Sequence, residues 1–272
     1  MKVVTLVEND SEKRNLKSAH GLSLYIEHNK KKILFDIGPG KQYLKNAKKL
    51  GIDIKDIDIC IISHGHFDHG RGIDTFLRVN KKAKVYVSAE AFGKMYKIKR
   101  GIYLPIGINK PLFSKRIVEI TEDIKIENGI KIYTDVPFEE QIIKDETLLR
   151  KTPDGFREDD FEHEIYLVLY ANSTKVLFSG CSHKGIENII DVIESKERKP
   201  FTAVVGGFHF SHFDSGNLRQ SMYLEQLADK LVNKGDVEYY TGHCTGDEAY
   251  LQMKNTMKAS LHRIKTGTEI KI

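Results

Sequence analysis

The chain reads as an α/β protein, and three features of the sequence point to that class. Short β-branched or apolar runs alternate with segments whose apolar residues recur every three to four positions. The alternation continues to the end of the 272 residues without an internal repeat or a low-complexity linker. A run dense in imidazole, Ser63-His64-Gly65-His66-Phe67-Asp68-His69-Gly70, follows directly on the apolar stretch Ile57-Asp58-Ile59-Cys60-Ile61-Ile62. A strand here delivers the side chains to its end, and a turn gathers them. One domain over 1–272 is the economical reading, although length alone admits one or two.

Taken in order, 2–7, 21–27 and 32–36 read as strands bounded by Asn, Gly or Lys turns. Residues 40–50 read as a helix with Leu44, Ala47 and Leu50 on one face, closed by Gly51 as a C′ glycine. Strand 57–63 leads into the histidine run. A short helix at 72–79, a strand at 84–88 and a helix at 89–98 follow. From 101 to 161 the pattern loosens, although short hairpin strands fit 117–120, 124–126 and 130–134. The stretch 137–161 is polar, mixed in charge and weakly periodic, and is expected to run over the surface as part helix and part loop. Long irregular segments in compact domains tend to be functional, so this one is a candidate lid or a dimerisation surface. Regularity returns with strands at 164–170, 175–179, 203–206 and 237–240, and helices at 185–194 and 217–234. In the second helix Leu218, Met222, Leu227 and Leu231 are read as one core stripe. A helix at 247–262 and an edge strand at 269–272 close the chain.

No apolar run reaches the length of a bilayer span. The opening residues, Met1-Lys2-Val3-Val4-Thr5-Leu6-Val7-Glu8, read as a strand and not as a secretory leader. Three widely spaced cysteines argue against a disulfide framework, and a cytoplasmic location is expected. The net charge of +5 comes with lysines grouped at turns (30–32, 48–49, 81–82), which read as solvated. No basic face is interleaved with aromatics, which argues against nucleic acid. A modest positive field suits a small anionic substrate.

The histidine run carries the chemistry. His64 and His66 are two apart, so in an extended segment they point to the same side. Asp68 and His69 follow where the chain turns and can face a second position close by. Imidazole and carboxylate are ligands of a borderline metal such as Zn²⁺, with manganese or iron also admitted by N/O donors. Cys181 and His183, in Val176-Leu177-Phe178-Ser179-Gly180-Cys181-Ser182-His183, form a second candidate cluster. A thiolate is a good Zn²⁺ ligand, and His183 can reach the same space. His243 follows a strand and precedes a helix. Its neighbour Cys244 is expected to point away as a packed thiol, and Cys60 lies inside a strand as core. Thr245 and Gly246, at a helix start, are read as an anion-binding position for substrate. His209, beside Gly206 and Gly207, is read as a substrate-pocket or acid/base histidine, with His20 a weaker case. His212 and His262 are read as surface residues, and Glu8 as lining the pocket from below.

S-H-G-H-F-D-H-G resembles the signature of the metallo-β-lactamase superfamily of binuclear hydrolases. Asp36, in Ile33-Leu34-Phe35-Asp36-Ile37-Gly38, resembles the superfamily's upstream aspartate, which supports the metal loop without binding metal. The resemblance runs nearly end to end. It implies a four-layer αβ/βα sandwich, with two mixed sheets face to face and helices outside. It also implies two divalent ions held by His64, His66, Asp68, His69, Cys181, His183 and His243. Cys181 stands where many members carry a bridging aspartate, and His243 where they carry the last metal histidine. Common members place a further histidine one strand upstream of the bridge; here that region reads Glu162-His163-Glu164, and His163, Glu164 or His183 is left to fill the role. Ala19-His20-Gly21-Leu22-Ser23, G-C-S-H-x-G, Gly206-Gly207-Phe208-His209-Phe210 and Thr241-Gly242-His243-Cys244-Thr245-Gly246 resemble the dihydropteroate-synthase-like branch, which includes archaeal enzymes of methanopterin biosynthesis.

The resemblance implies an enzyme. The first expectation is a hydrolase acting on an ester, amide, thioester or phosphoester, with Asp68 orienting a metal-activated water. The alternative is a transferase joining a dihydropterin-methyl diphosphate to an arylamine. A non-hydrolytic metal-binding or sensory protein is a third class; the flavodiiron kind needs a flavodoxin-like domain for which this length leaves no room.

Overall fold

The computed structural model describes residues 1–111 and 115–272; the part of the loosely patterned segment at 112–114 lies outside them. Two seven-stranded mixed sheets stand face to face. The first runs Glu269–Lys271, Lys2–Val7, Ser23–His28, Lys31–Phe35, Ile59–Ile61, Lys84–Ser88, Ile117–Ile120 in spatial order. The second runs Leu261–Arg263, Glu238–Thr241, Ala203–Val205, Thr174–Phe178, Tyr166–Ala171, Ile130–Tyr133, Ile124–Glu127. Each sheet is antiparallel at one end and parallel at the other.

Strand alternation sorts the apolar side chains into layers. In the first sheet Leu24, Ile26, Phe35 and Ile61 point inward to meet Leu167, Val176, Phe178 and Val205 of the second. Phe35 and Phe178 approach across this interface with ring centroids 6.0 Å apart. The intervening residues face the helices. Leu34, Cys60 and Val85 pack under Tyr43 and Phe76, from helices Gln42–Lys49 and Ile73–Val79. Leu177, Val204 and Tyr239 pack under Ile189, Leu227 and Met253, from Ile186–Glu197, Leu218–Val232 and Asp247–Met257. The parallel strands are buried on both faces, which is why they read as unbroken apolar runs. This is the four-layer αβ/βα sandwich.

Four sequence expectations change. The helix placed at 89–98 is a single 3-10 turn, Ala89–Phe92, followed by the strand Met95–Lys99. The excursion at 137–161 contains no helix among the described residues; it carries the strands Leu148–Thr152 and Gly155–Glu158. With Met95–Lys99 and Ile102–Pro105 these form a four-stranded antiparallel sheet. The last helix stops at Met257, and Leu261–Arg263 joins the second sheet. In Leu218–Val232 the buried stripe is Leu224, Leu227, Ala228 and Leu231, while Leu218 and Met222 face solvent. Nine helical positions amount to a half-turn out of phase, so Leu218 and Leu227 lie on opposite faces.

The small sheet braces the histidine run. Past Ile102–Pro105, Ile106 donates its N–H to Met95 and accepts from Phe67 at 2.7 Å, and Ile108 donates to Gly65 at 3.0 Å. The loop that carries His66 is thereby hydrogen-bonded into a sheet edge.

Candidate metal centre

Five strands point their C-terminal ends at one place. Asp36 follows Lys31–Phe35, His64 to His69 follow Ile59–Ile61, Cys181 and His183 follow Thr174–Phe178, His209 follows Ala203–Val205, and His243 follows Glu238–Thr241. The carboxyl ends of parallel strands are where open α/β sheets gather their sites.

Two groups of donors converge there. His64, His66 and His183 place ring nitrogens within 4.8 Å of one another, and all three residues are buried. Ser63 Oγ lies 2.8 Å from His64 Nδ1, and Nε2 of His64 and His66 has no hydrogen-bond partner. Neither ring nitrogen of His183 has one. Burial and the crowd of neighbouring imidazoles keep His64 and His183 well below the usual histidine range, and His66 is lowered to about 3. All three present lone pairs at neutral pH. The second group is His69, Asp68, His243 and Cys181. His69 Nε2 lies 3.1 Å from His243 Nε2 and 3.2 Å from Cys181 Sγ, and Asp68 Oδ2 lies 3.2 Å from His243 Nε2. Exposed His20 reaches Asp68 at 3.4 Å and leans on the His243 ring.

The surroundings decide what these atoms can hold. Asp36 is fully buried; it accepts from Ser63 N–H at 2.7 Å and Ser63 O–H at 2.8 Å, and its other contact is His69 Nδ1 at 2.6 Å. Asn9 Oδ1 lies 2.9 Å from His243 Nδ1 and also accepts from Gly21 N–H. With their Nδ1 atoms so directed, His69 and His243 turn their Nε2 atoms toward each other. The two nitrogens can coexist at this distance only by sharing a proton or a cation between them. Imidazole nitrogens sharing one tetrahedral Zn²⁺ sit roughly 3.3 Å apart, given Zn–N distances of about 2.0–2.1 Å, close to what is seen. The electrostatics agree. Burial pushes the Asp68 carboxyl up, but His69 and His243 outweigh it and hold it well below the usual carboxylate range. Burial opposes charge on His69, yet Asp36 and Asp68 raise it to about 9, so the two carboxylates call for positive charge at this point. The residues therefore fit divalent metal.

A model of the metallo-beta-lactamase superfamily matches residues 19–243. The chain belongs to this superfamily. Among curated relatives, it is 32% identical to 7,8-dihydropterin-6-methyl-4-(beta-D-ribofuranosyl)-aminobenzene-5'-phosphate synthase of Methanocaldococcus jannaschii, over 93% of this chain and 90% of that one. An uncharacterised protein of the same organism is 30% identical over 91% and 92% of the two chains. Among solved structures, Tm1679, a metal-dependent hydrolase of the beta-lactamase superfamily, superposes with a TM-score of 0.83 at 26% identity, covering 100% of this chain and 99% of that chain.

Within the superfamily's frame, several residues fall in places the sequence did not show. His163 is turned inward: Nδ1 accepts from Gly65 N–H at 3.1 Å, and Nε2 is 3.2 Å from Asp159. Both nitrogens are committed, and His183 stands beside His64 and His66 instead. Glu164 accepts from the N–H groups of His183 and Lys184 and from Tyr166 O–H. It fixes the turn that carries His183. Cys244 does not point away: its sulfur lies within 4.8 Å of Cys181 Sγ and the His243 ring, and its S–H points to the Cys181 carbonyl at 3.5 Å. Thr245 is buried, its hydroxyl paired with Thr241 Oγ1 and accepting from Phe208 N–H, and Gly246 precedes a helix turn holding Asp247 and Glu248. Those acids already answer the helix dipole, and the Thr245 hydroxyl is taken up within the protein. Glu8 accepts from His243 N–H at 2.6 Å and holds that turn from beneath. His212 pairs with Asp145, and His262 stacks on Tyr240.

Beside the donors lies a narrow cleft lined by Phe138, Phe161, Phe208 and Phe210, by His183 and His209, and by charged residues including Lys144, Asp145 and Asp159. Phe161 stacks flat on His183, with centroids 4.3 Å apart. Phe138 and Phe161 come from the 137–161 excursion, which places that segment over the site. The sequence signal for this wall was weak, because isolated phenylalanines in a polar stretch carry no periodicity. Among the described residues, no helix is long and apolar enough to cross a membrane.

Proposed function

We propose that this chain is a metal-dependent hydrolase whose substrate carries a flat, largely apolar ring system next to the scissile ester, amide or phosphoester. The observation that carries it is the convergence of His69 Nε2, His243 Nε2, Cys181 Sγ and Asp68 Oδ2 on one point. When bound, the ions supply Lewis acidity toward the substrate and toward water. His64, His66 and His183 would hold one ion, and Asp68, His69, Cys181 and His243 the other. Asp36 and Asn9 keep His69 and His243 in the ligating tautomer, a second-shell duty that sustains affinity. Asp68, held ionised, is placed to accept a hydrogen bond from the attacking water and orient it. The phenylalanine walls exclude solvent and grip the ring.

A second reading is favoured by the same walls together with the 32% relative, whose name is that of a synthase whose product joins a dihydropterin-6-methyl group to a ribofuranosyl-aminobenzene phosphate. In it an arylamine nitrogen replaces water and attacks a pterin methylene carbon; the C–O bond to the diphosphate breaks, pyrophosphate leaves, and the amine's surplus proton passes to the departing pyrophosphate or to solvent. One assay set separates the two. The metal-loaded chain is offered a panel of aryl esters, lactones, thioesters and phosphodiesters, and separately a dihydropterin-methyl diphosphate with and without an arylamine. Turnover of the panel, suppressed by Asp68→Asn, supports the hydrolase. Pyrophosphate release that needs the amine, with the panel untouched, replaces it with the transferase.

A further inference from the structure

His209 has no part in either donor group above, yet it stands against them. Its ring centroid is 4.1 Å from that of His183. Ligand atoms of Cys181, His183 and His209 all lie within 4.8 Å of one another. All four ring nitrogens of His183 and His209 are shielded from solvent and none makes a well-formed hydrogen bond, although the Cys244 thiol stands beside His209. Cys181 is a free, buried thiol. An unpaired buried polar atom costs about 1–3 kcal/mol, and a single cation would satisfy a nitrogen from each ring and the sulfur together.

The backbone is bent to bring His209 there. His209 has φ +57, a left-handed conformation uncommon for a residue with a Cβ. The approach is through Gly206, where a Cβ would lie 1.9 Å from the Ser179 carbonyl oxygen, and Gly207, where one would lie 2.3 Å from Cys244 Sγ. Such strain persists where the surroundings over-determine it, often at ligand clamps.

We propose that His209 is a metal ligand, joined with Cys181 and His183 in a donor set that shares His183 with the His64–His66 pair and Cys181 with the His69–His243 group. This rests on the metal-centre reading above. It adds a fourth imidazole beside a thiolate, a set suited to zinc, cobalt or iron(II) and poorly suited to magnesium or calcium.

The test uses the full chain, stripped of metal and titrated with Co²⁺ alone. His209→Asn is the first variant, because asparagine tolerates positive φ and lacks the ring. His209→Gly is the second, because it relieves the backbone and leaves room for free imidazole. The wild type should bind Co²⁺ with a d–d spectrum that both variants change, with affinity for one ion falling at least about 10-fold. Added imidazole should restore the spectrum of His209→Gly. A crystal structure of the Co²⁺-loaded wild type should place a His209 nitrogen about 2.0–2.2 Å from an ion, which guards against variants that fail to fold. A loaded wild type with His209 more than about 3 Å from every ion, or variants matching wild type in affinity and spectrum, overturns the proposal alone. A wild type that takes up no Co²⁺ overturns the metal-centre reading itself.

Discussion

Replacing Asp36 by asparagine should uncouple the fold from metal binding in a calculable way. The carboxylate is fully buried and takes three contacts, from Ser63 N–H, Ser63 O–H and His69 Nδ1. Asparagine keeps the shape. Its single oxygen must stay with the Ser63 backbone N–H, which has no freedom to turn away. The amide nitrogen then stands where Oδ2 stood, facing Ser63 Oγ and His69 Nδ1. The serine hydroxyl can rotate, but the imidazole can meet an N–H only by moving its proton to Nε2. That is the atom aimed at His243 and Cys181. Hydrogen bonds to a charged group contribute about 1.5–3 kcal/mol each; with one bond kept and one rearranged, the metal-free chain should lose about 2–4 kcal/mol. Loss of a ligand's orienting partner costs about 10–100-fold in metal affinity, or about 1.4–2.7 kcal/mol. Urea unfolding of the metal-free protein measures the first quantity, and Zn²⁺ competition against a chromophoric chelator the second. A folded Asp36→Asn protein with wild-type affinity within threefold would refute the assignment of His69 Nε2 as a ligand.

Three further outcomes are expected. Cys181→Ser should abolish the thiolate-to-metal charge-transfer band of the Co²⁺-loaded chain while Cys244→Ser leaves it, since Cys244 is satisfied by the Cys181 carbonyl; a band surviving Cys181→Ser moves the thiolate role to Cys244. Glu164→Ala should destabilise the chain by about 2–6 kcal/mol, at about 1–3 kcal/mol for each stranded N–H group of His183 and Lys184, and Glu164→Gln by less, as read from urea midpoints; equal, small effects would remove Glu164 as the support of that turn. Burial raises the Asp145 carboxyl, but His212, Lys97 and Thr147 outweigh it and hold it well below the usual range. Its contribution is therefore complete above the unfolded value of about 3.9 and lost as pH falls below it. Asp145→Asn should flatten the acid limb of stability against pH between about 4 and 2, and an unchanged limb contradicts the assignment.

The layers of the fold were legible because the buried parallel strands, such as Ile59–Ile61 and Thr174–Phe178, have apolar residues on both faces and turn signals at both ends. The small sheet was not, and its residues show why. Ala89-Glu90-Ala91-Phe92 has helical composition, and only Gly93 marks the change to Met95–Lys99, whose five residues alternate too briefly to outweigh it. Leu148–Thr152 and Gly155–Glu158 mix Arg, Lys and Glu into a hairpin that is half exposed, so no apolar period remains to be read.

The site was legible where ligands are close in sequence and obscure where the turn geometry departs from a regular element. His64 to His69 are spaced by a strand end and a single helical turn, and their convergence follows from spacing alone. Cys244 was expected to oppose His243 because neighbours alternate along a strand. Residues 243–245 instead form a 3-10 turn entered through His243 at φ +52, where neighbours fan over one side. The same left-handed device recurs at Asp36, Ser182 and His209. Each follows the C-terminal end of a parallel strand, where the chain must leave the sheet sharply before the next element begins. The centre is thus built from a repeated backbone turn, and composition alone does not reveal it: none of these four residues is glycine, so each bears the cost of a Cβ at positive φ. If that cost is offset by a bound cation, metal should raise the melting temperature of the wild type more than that of a chain in which His209 is replaced by glycine. An equal rise in both would mean that the turn at His209 is stabilised by packing alone.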